Sequence, residues 1–181
     1  MKRIHFKNIH STHLYAKENL HNFKNYSEVI ITADYQTGGI GRRMDKWISP
    51  ANHSLLTTYI YNAPPLYFCP HLSKIASLSL KQALDPLRLP ITFKEPNDLL
   101  INQKKFCGIL SEICGDKMLT SIGLNIFQTQ KDLKDIDQKA TSLFLETGKK
   151  HSKEKILLEF LFYFKKDISL KMGALQSPDG F

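Results

Sequence analysis

No stretch of this 181-residue sequence stays apolar long enough to cross a membrane, and the start, Met1-Lys2-Arg3-Ile4-His5, lacks the apolar centre of a secretory signal. A soluble, cytoplasmic protein without a membrane partner is the expectation. Cysteine is scarce. The three present, Cys69, Cys107 and Cys114, are odd in number and form no Cys-x-x-Cys pair, which argues against a disulfide framework or a zinc knuckle and leaves reduced packing residues. Repeats, low-complexity tracts, RNA-binding aromatic motifs and zinc-finger spacings are all missing. Acid is the minority charge, 17 Asp and Glu against 25 Lys and Arg, for a formal charge of +8. Such an excess suits nucleic acid, anionic nucleotides or an acidic protein. However, Lys131, Lys134, Lys139, Lys149, Lys150, Lys153 and Lys155 lie dispersed among acids, the pattern of a solvated surface rather than a groove. No segment before residue 10 could hold a helix-turn-helix, so neither an N-terminal DNA-binding domain nor a specific nucleic acid partner is expected.

What is present organises the chain into one domain with one sizeable core. Ser11 or Thr12 can cap a helix that runs to about Phe23, with Ala16, Leu20 and Phe23 at helical spacing. Val29 to Tyr35 and His53 to Tyr61 read as strands. Between them, residues 37 to 50 combine Gly38, Gly39 and Gly41 with Arg42, Arg43 and Lys46 before Pro50, the composition of an exposed mobile loop. Leu72, Ile75, Ala76, Ser79, Leu80 and Ala83 predict a helix with one buried face that ends before Pro86. Ile91 to Lys94, Leu99 to Ile101, Lys104 to Ile113 and Lys117 to Ile126 predict an antiparallel meander. In the last of these, Met118, Thr120, Ile122, Leu124 and Ile126 fall on one face. Ser152 should cap a final helix whose stripe is Leu157, Phe160, Leu161, Phe164 and Ile168, and residues 171–181 should form a flexible tail. The fold class is α+β, a mixed, mostly antiparallel sheet packed with helices.

Two motifs carry chemistry. Lys94-Glu95-Pro96-Asn97-Asp98 is a polar corner, since Pro96 removes a donor and Asn97-Asp98 favours a turn. Seven residues on, Lys105-Phe106-Cys107-Gly108-Ile109-Leu110 begins as a cationic strand and turns apolar, with a glycine that lets another group come close. A cation is thereby placed at the edge of a buried sheet. The upstream stretch Gln36-Thr37-Gly38-Gly39-Ile40-Gly41-Arg42-Arg43-Met44-Asp45-Lys46-Trp47 is neither a nucleotide-triphosphate loop nor a dinucleotide fingerprint.

In this order and spacing the two stretches resemble the lysine-(tryptophan)-proline-asparagine-aspartate, lysine-x-x-glycine-isoleucine-leucine and glycine-arginine loop motifs of biotin protein ligases. The resemblance covers roughly residues 9 to 170. It implies the class II aminoacyl-tRNA synthetase-like fold of biotin and lipoate ligases, with a catalytic domain over 1–170 and no C-terminal β-barrel domain. The implied activity is that of a biotin–[acetyl-CoA-carboxylase] ligase, using ATP and Mg2+ to form biotinyl-5'-AMP and then to biotinylate a lysine of a biotin carboxyl carrier protein. By resemblance Arg42 and Lys105 are the catalytic cations. Ser11, Thr12, Gln36, Gly39, Gly41 and Gly108 join them around biotin, and Arg43, Trp47, Lys94, Asn97, Asp98 and Asn125 join them around ATP. No protein side chain is assigned as a dedicated metal ligand. Ser11 and Thr12 equally suit helix capping, and Asn97, Asp98 and Asn125 equally suit bracing of turns. Ile40, Met44, Asp45 and Glu95 depart from the family's usual residues, and His13 stands where asparagine is frequent. A lipoate or octanoate ligase and a non-catalytic biotin- or carrier-binding module are the alternatives, and pairing into a homodimer is left open.

Overall fold

The computed structural model describes residues 1–64, 71–134, 136 and 139–174. Among them the strands are β1 (Lys2–Ile9), β2 (Glu28–Gln36), β3 (Gly39–Ile40), β4 (Lys46–Trp47), β5 (Ser54–Asn62), β6 (Ile91–Lys94), β7 (Asp98–Ile101), β8 (Lys104–Cys114) and β9 (Lys117–Asn125). The α-helices are α1 (Thr12–Glu18), α2 (Leu72–Leu84), α3 (Gln130–Leu133), α4 (Leu143–Thr147) and α5 (Lys153–Ala174). Seven strands form one sheet in the order β1-β2-β5-β9-β8-β7-β6. Only β1 runs parallel to its neighbour; the other pairs are antiparallel. This is the mixed, mostly antiparallel α+β architecture expected. The parallel pair needs a crossover, which α1 and the 3-10 turn Leu20–Phe23 supply.

Period-two alternation assigns the two faces of the sheet. In β9, Met118, Ile122 and Leu124 enter the larger apolar core with α2 and α5, whereas Leu119 joins a smaller core under α1. Ser121, Gly123 and Asn125 continue that second face and line a cleft. In β5, Leu55, Tyr59 and Tyr61 likewise belong to the larger core, while Leu56 and Ile60 face the α1 side. Phe160 and Phe164 of α5 are fully buried and stack at 5.1 Å. Each such side chain contributes about 1.5–3 kcal/mol by leaving water. The α5 stripe also includes Leu157 and Leu161 as expected, and Ser152 caps the helix by accepting from Lys155 N–H at 3.2 Å.

Several details differ from the sequence reading. The first helix stays α-helical only to Glu18 and then tightens into the 3-10 turn. β1 was not anticipated, because Lys2, Arg3, His5 and Lys7 mask the alternation of Ile4 and Phe6 that packs it on the smaller core. The stretch from 37 to 50 is more ordered than an open loop: β3 and β4 pair as a two-stranded ribbon. α5 runs through the first residues of the expected tail, and 175–181 lie outside the described residues. Cys107 is completely buried and Cys114 half-buried, and burial pushes both thiols up, as packing residues require. Cys69 lies outside the described residues. No helix among the described residues is long and apolar enough to cross a membrane.

Candidate active site

A cleft of about 580 Å³ opens on the α1 face of the sheet, walled by the start of α1, the β3–β4 ribbon and the strands β7, β8 and β9. Its polar end is built by the helix start. Ser11, extended and 2% exposed, caps α1 by accepting from Leu14 N–H. Thr12 then donates twice to Gln36 Oε1, from its backbone N–H at 2.7 Å and from Oγ1 at 2.9 Å. These bonds fix the amide of Gln36 at the end of β2 with its NH2 beside Gly39. A Cβ on Gly39 would lie 2.6 Å from Gln36 Nε2, so the glycine is needed for that approach. Gly39 does not line the cleft itself.

Lys105 reaches the cleft through an irregularity. Lys105 and Gly108 are three residues apart, which in an unbroken strand puts them on opposite faces. Yet both line the cleft. The register of β7 with β8 shifts between Leu99 and Leu100, which leaves Phe106 as an extra residue on β8. Such a bulge re-aims one side chain, and here it turns Lys105 inward while Phe106 and Cys107 stay in the core. Lys105 Nζ then sits 2.9 Å from Asp98 Oδ1, both side chains under a fifth exposed. The contact is an ion pair between two largely buried groups. It holds the ammonium in place and engages one of its three N–H donors, leaving the others for a ligand.

Arg42 contrasts with this. It lies on the exposed 3-10 turn between β3 and β4, lines the cleft, and makes no ion pair among the described residues. The turn is closed by Gly41 N–H donating to Asp45 O at 2.7 Å. Trp47, on β4, folds back over the facing pair Gly108 and Gly123. Lys105 Nζ stands 5.8 Å from its ring centre, and the indole N–H is buried with no acceptor. The two glycines make a flat seat. A Cβ on Gly123 would lie 2.5 Å from Trp47 Cε2, and β9 is a central strand that cannot retreat. We therefore expect Gly123→Ala to expel the indole. Trp47 is the only tryptophan, so its emission reports directly: a red shift is the expected result, and unchanged emission would contradict the packing.

Of the residues singled out in the sequence, Ser11, Thr12, Gln36, Gly41, Arg42, Trp47, Asn97, Asp98, Lys105, Gly108 and Asn125 converge on the cleft. Arg43 and Lys94 are exposed and lie outside its lining, Arg43 in the left-handed region at φ 57 and Lys94 on the edge strand β6 opposite Asp98. Asn97 and Asn125 are spent on bracing. Asn97 Nδ2 donates to Ile109 O at 2.8 Å, and Asn125 donates to Thr141 O while accepting from Gln128 at 2.8 Å. His13, noted in the sequence only as a departure from asparagine, also lines the cleft, as do Ser121 and Gly123, to which the sequence reading gives no role. Only Gly123, a glycine inside a strand, carried a local signal.

The profile of the biotin/lipoate A/B protein ligase family matches residues 5–126. The bifunctional ligase/repressor BirA of Bacillus subtilis (strain 168) is 32% identical over 148 residues, covering 76% of this chain and 45% of that protein. A biotin–[acetyl-CoA-carboxylase] ligase of Mycobacterium tuberculosis is 30% identical over 121 residues, covering 64% of this chain and 44% of that one. The chain spans about half the length of the curated relatives it matches. Among solved structures, the biotin protein ligase of Aquifex aeolicus in complex with biotin and ATP superposes with a TM-score of 0.79 at 28% identity, covering 93% of this chain and 70% of that chain.

Proposed function

Because the chain belongs to the biotin/lipoate A/B protein ligase family, we propose that it is an ATP-dependent biotin–protein ligase of the cytoplasm. In the first step the biotin carboxylate attacks the α-phosphate of ATP, forming biotinyl-5'-AMP as the bond to pyrophosphate breaks. In the second, the ε-amine of a lysine on a biotin carboxyl carrier protein, such as that of acetyl-CoA carboxylase, attacks the anhydride, and AMP leaves as the amide forms.

Bringing a carboxylate to a polyphosphate is opposed by charge, so the first step depends on cations set in place beforehand. The observation that carries the reading is that Lys105 and Arg42 line one cleft. Lys105 is pre-positioned by Asp98 and has N–H donors to spare; Arg42 rides on the ribbon and can follow the anion. Trp47 screens the junction from water over the Gly108–Gly123 seat. Mg2+ would arrive on the nucleotide's phosphates, which are its customary ligands together with water. Among the described residues no group of three or more His, Cys, Asp or Glu side chains could cage it, and Asp98 is already paired with Lys105.

Biotin is favoured over lipoate or octanoate by the polar end of the cleft. The Thr12–Gln36 pair suits a ureido ring, whereas a plain acyl tail would leave such groups facing apolar matter, and sites built for hydrogen bonds reject ligands that lack them. Biotin-dependent exchange of labelled pyrophosphate into ATP tests the reading. Exchange with lipoate or octanoate but not biotin would overturn the substrate, and no exchange with any of these acids would favour a binding module.

A further inference from the structure

Behind the polar end of the cleft, a single file of hydrogen bonds crosses the sheet. Gln36 Oε1 accepts from Thr12 Oγ1 at 2.9 Å, Thr12 Oγ1 from Thr58 Oγ1 at 3.0 Å, and Thr58 lies 2.7 Å from Ser121 Oγ. Ser121 Oγ lies 2.8 Å from His13 Nδ1, and His13 Nε2 lies 3.0 Å from Glu112 Oε2, whose other oxygen accepts from Lys17 Nζ at 2.6 Å. Thr12, His13, Thr58 and Ser121 are all buried.

The direction of this file follows from counting protons. The backbone N–H of Thr12 can only donate, so the atom it meets is the carbonyl oxygen of Gln36, and Thr12 must spend its hydroxyl proton there as well. Thr58 therefore donates to Thr12, and Ser121 to Thr58, because each hydroxyl has one proton. Nothing is left on Ser121 for the ring, so His13 Nδ1 must be the donor. At the other nitrogen the acceptor is a carboxylate. Burial works against ionisation of Glu112, but the hydrogen bonds from Lys17 and His13 hold its carboxyl below the usual range. Nε2 must donate too. The file is complete only when His13 carries both protons. A neutral ring keeps its proton on Nε2 for Glu112, Nδ1 turns acceptor, Ser121 reverses, Thr58 turns to Ser121, and Thr12 loses its donor.

We infer that His13 is a proton-dependent positioning residue, whose imidazolium locks Thr12 and Gln36 into the arrangement that receives the ligand. The inference rests on the biotin reading above. The charged groups whose fields reach the ring are Glu112 from β8 and Lys17 from its own helix; β5 and β9 present only the Thr58 and Ser121 hydroxyls, and Cys114, farther along β8, faces Glu112 and Lys17. Burial pushes the proton affinity of His13 down, and the hydrogen bond and charge of Glu112 only partly restore it. The ring therefore titrates to the acid side of an ordinary histidine.

A ligand shifts a two-state equilibrium only by preferring one state, and here the preferred state is the pre-organised, protonated one. The dissociation constant for biotin, measured by calorimetry from about pH 5 to about pH 8, should rise about five-fold as His13 loses its proton, the worth of roughly one net hydrogen bond. His13→Asn should flatten the profile. Glu112→Gln, which keeps an acceptor but removes the charge, should move the midpoint to lower pH. In parallel, the 15N shifts of the ring should show both nitrogens protonated at the acid end in the free protein, with the same displacement in Glu112→Gln. A flat profile for the parent, a slope that survives His13→Asn, or a Glu112→Gln midpoint that stays put would overturn the inference. Failure to bind biotin at any pH would sink the substrate reading instead; the ring titration and its Glu112→Gln displacement would then decide the role of His13, as they would if His13→Asn did not fold.

Discussion

Lys105→Ala lowers the rate of biotinyl-adenylate formation by about two orders of magnitude or more, the usual cost of removing one fixed donor from developing charge. The lysine is positioned before any ligand arrives, turned inward by the bulge and held at 2.9 Å from Asp98. A charge that needs no reorganisation at the moment of reaction acts mainly on the transition state, so kcat should fall with the substitution. Removing it also leaves the Asp98 carboxylate unpaired in the cleft, where it repels both incoming anions and raises KM. Adding Asp98→Asn to Lys105→Ala should therefore recover part of the KM without restoring kcat. Single-turnover adenylation in the two variants checks this, and a Lys105→Ala protein that forms adenylate at the parental rate would refute the role.

Arg42→Gly acts on a different step. Arg42 is exposed on the turn of the ribbon and enters no ion pair among the described residues, which leaves its guanidinium available to the anion of the proposed reaction. In the proposed reaction its main work is to keep the ribbon, with Trp47, closed over the reactive anhydride. Release of biotinyl-5'-AMP should quicken about ten- to a hundredfold, the range that one charge-assisted hydrogen bond of about 1.5–3 kcal/mol supplies. Formation should slow less than release quickens, and the escaping anhydride should label bystander lysines. The dissociation rate of the intermediate, measured beside its formation rate, gives the contrast; an Arg42→Gly protein that holds it as firmly as the parent would remove Arg42 from this role.

The strands from β5 to β9, β2 and the long helices were legible because their signals are local. Met118, Ile122 and Leu124 alternate within one strand, and Leu157, Phe160, Leu161 and Phe164 recur within one helix, so burial follows from spacing alone. The cations were legible as residue types in a pattern. How Lys105 faces the cleft was not, because the bulge that turns it depends on the register of β8 against β7. The partners of His13 were hidden too, since Glu112 and Ser121 are 99 and 108 residues away along the chain. Trp47 read as a nucleotide contact. Its seat on Gly108 and Gly123 depends on the register of β8 against β9, which the expected meander leaves unspecified. What the sequence hides at this site is strand register and long-range side-chain contact, and each places a functional side chain.

Transfer of biotin to protein is the most direct consequence of the proposed activity. The chain, ATP, Mg2+, labelled biotin and a biotin carboxyl carrier domain are incubated together, and the carrier is analysed for label and its position. The expected result is label on a single carrier lysine, dependent on ATP and lost in Lys105→Ala. A carrier that stays unlabelled with biotin, or that is modified only when lipoate or octanoate takes its place, would contradict the central claim.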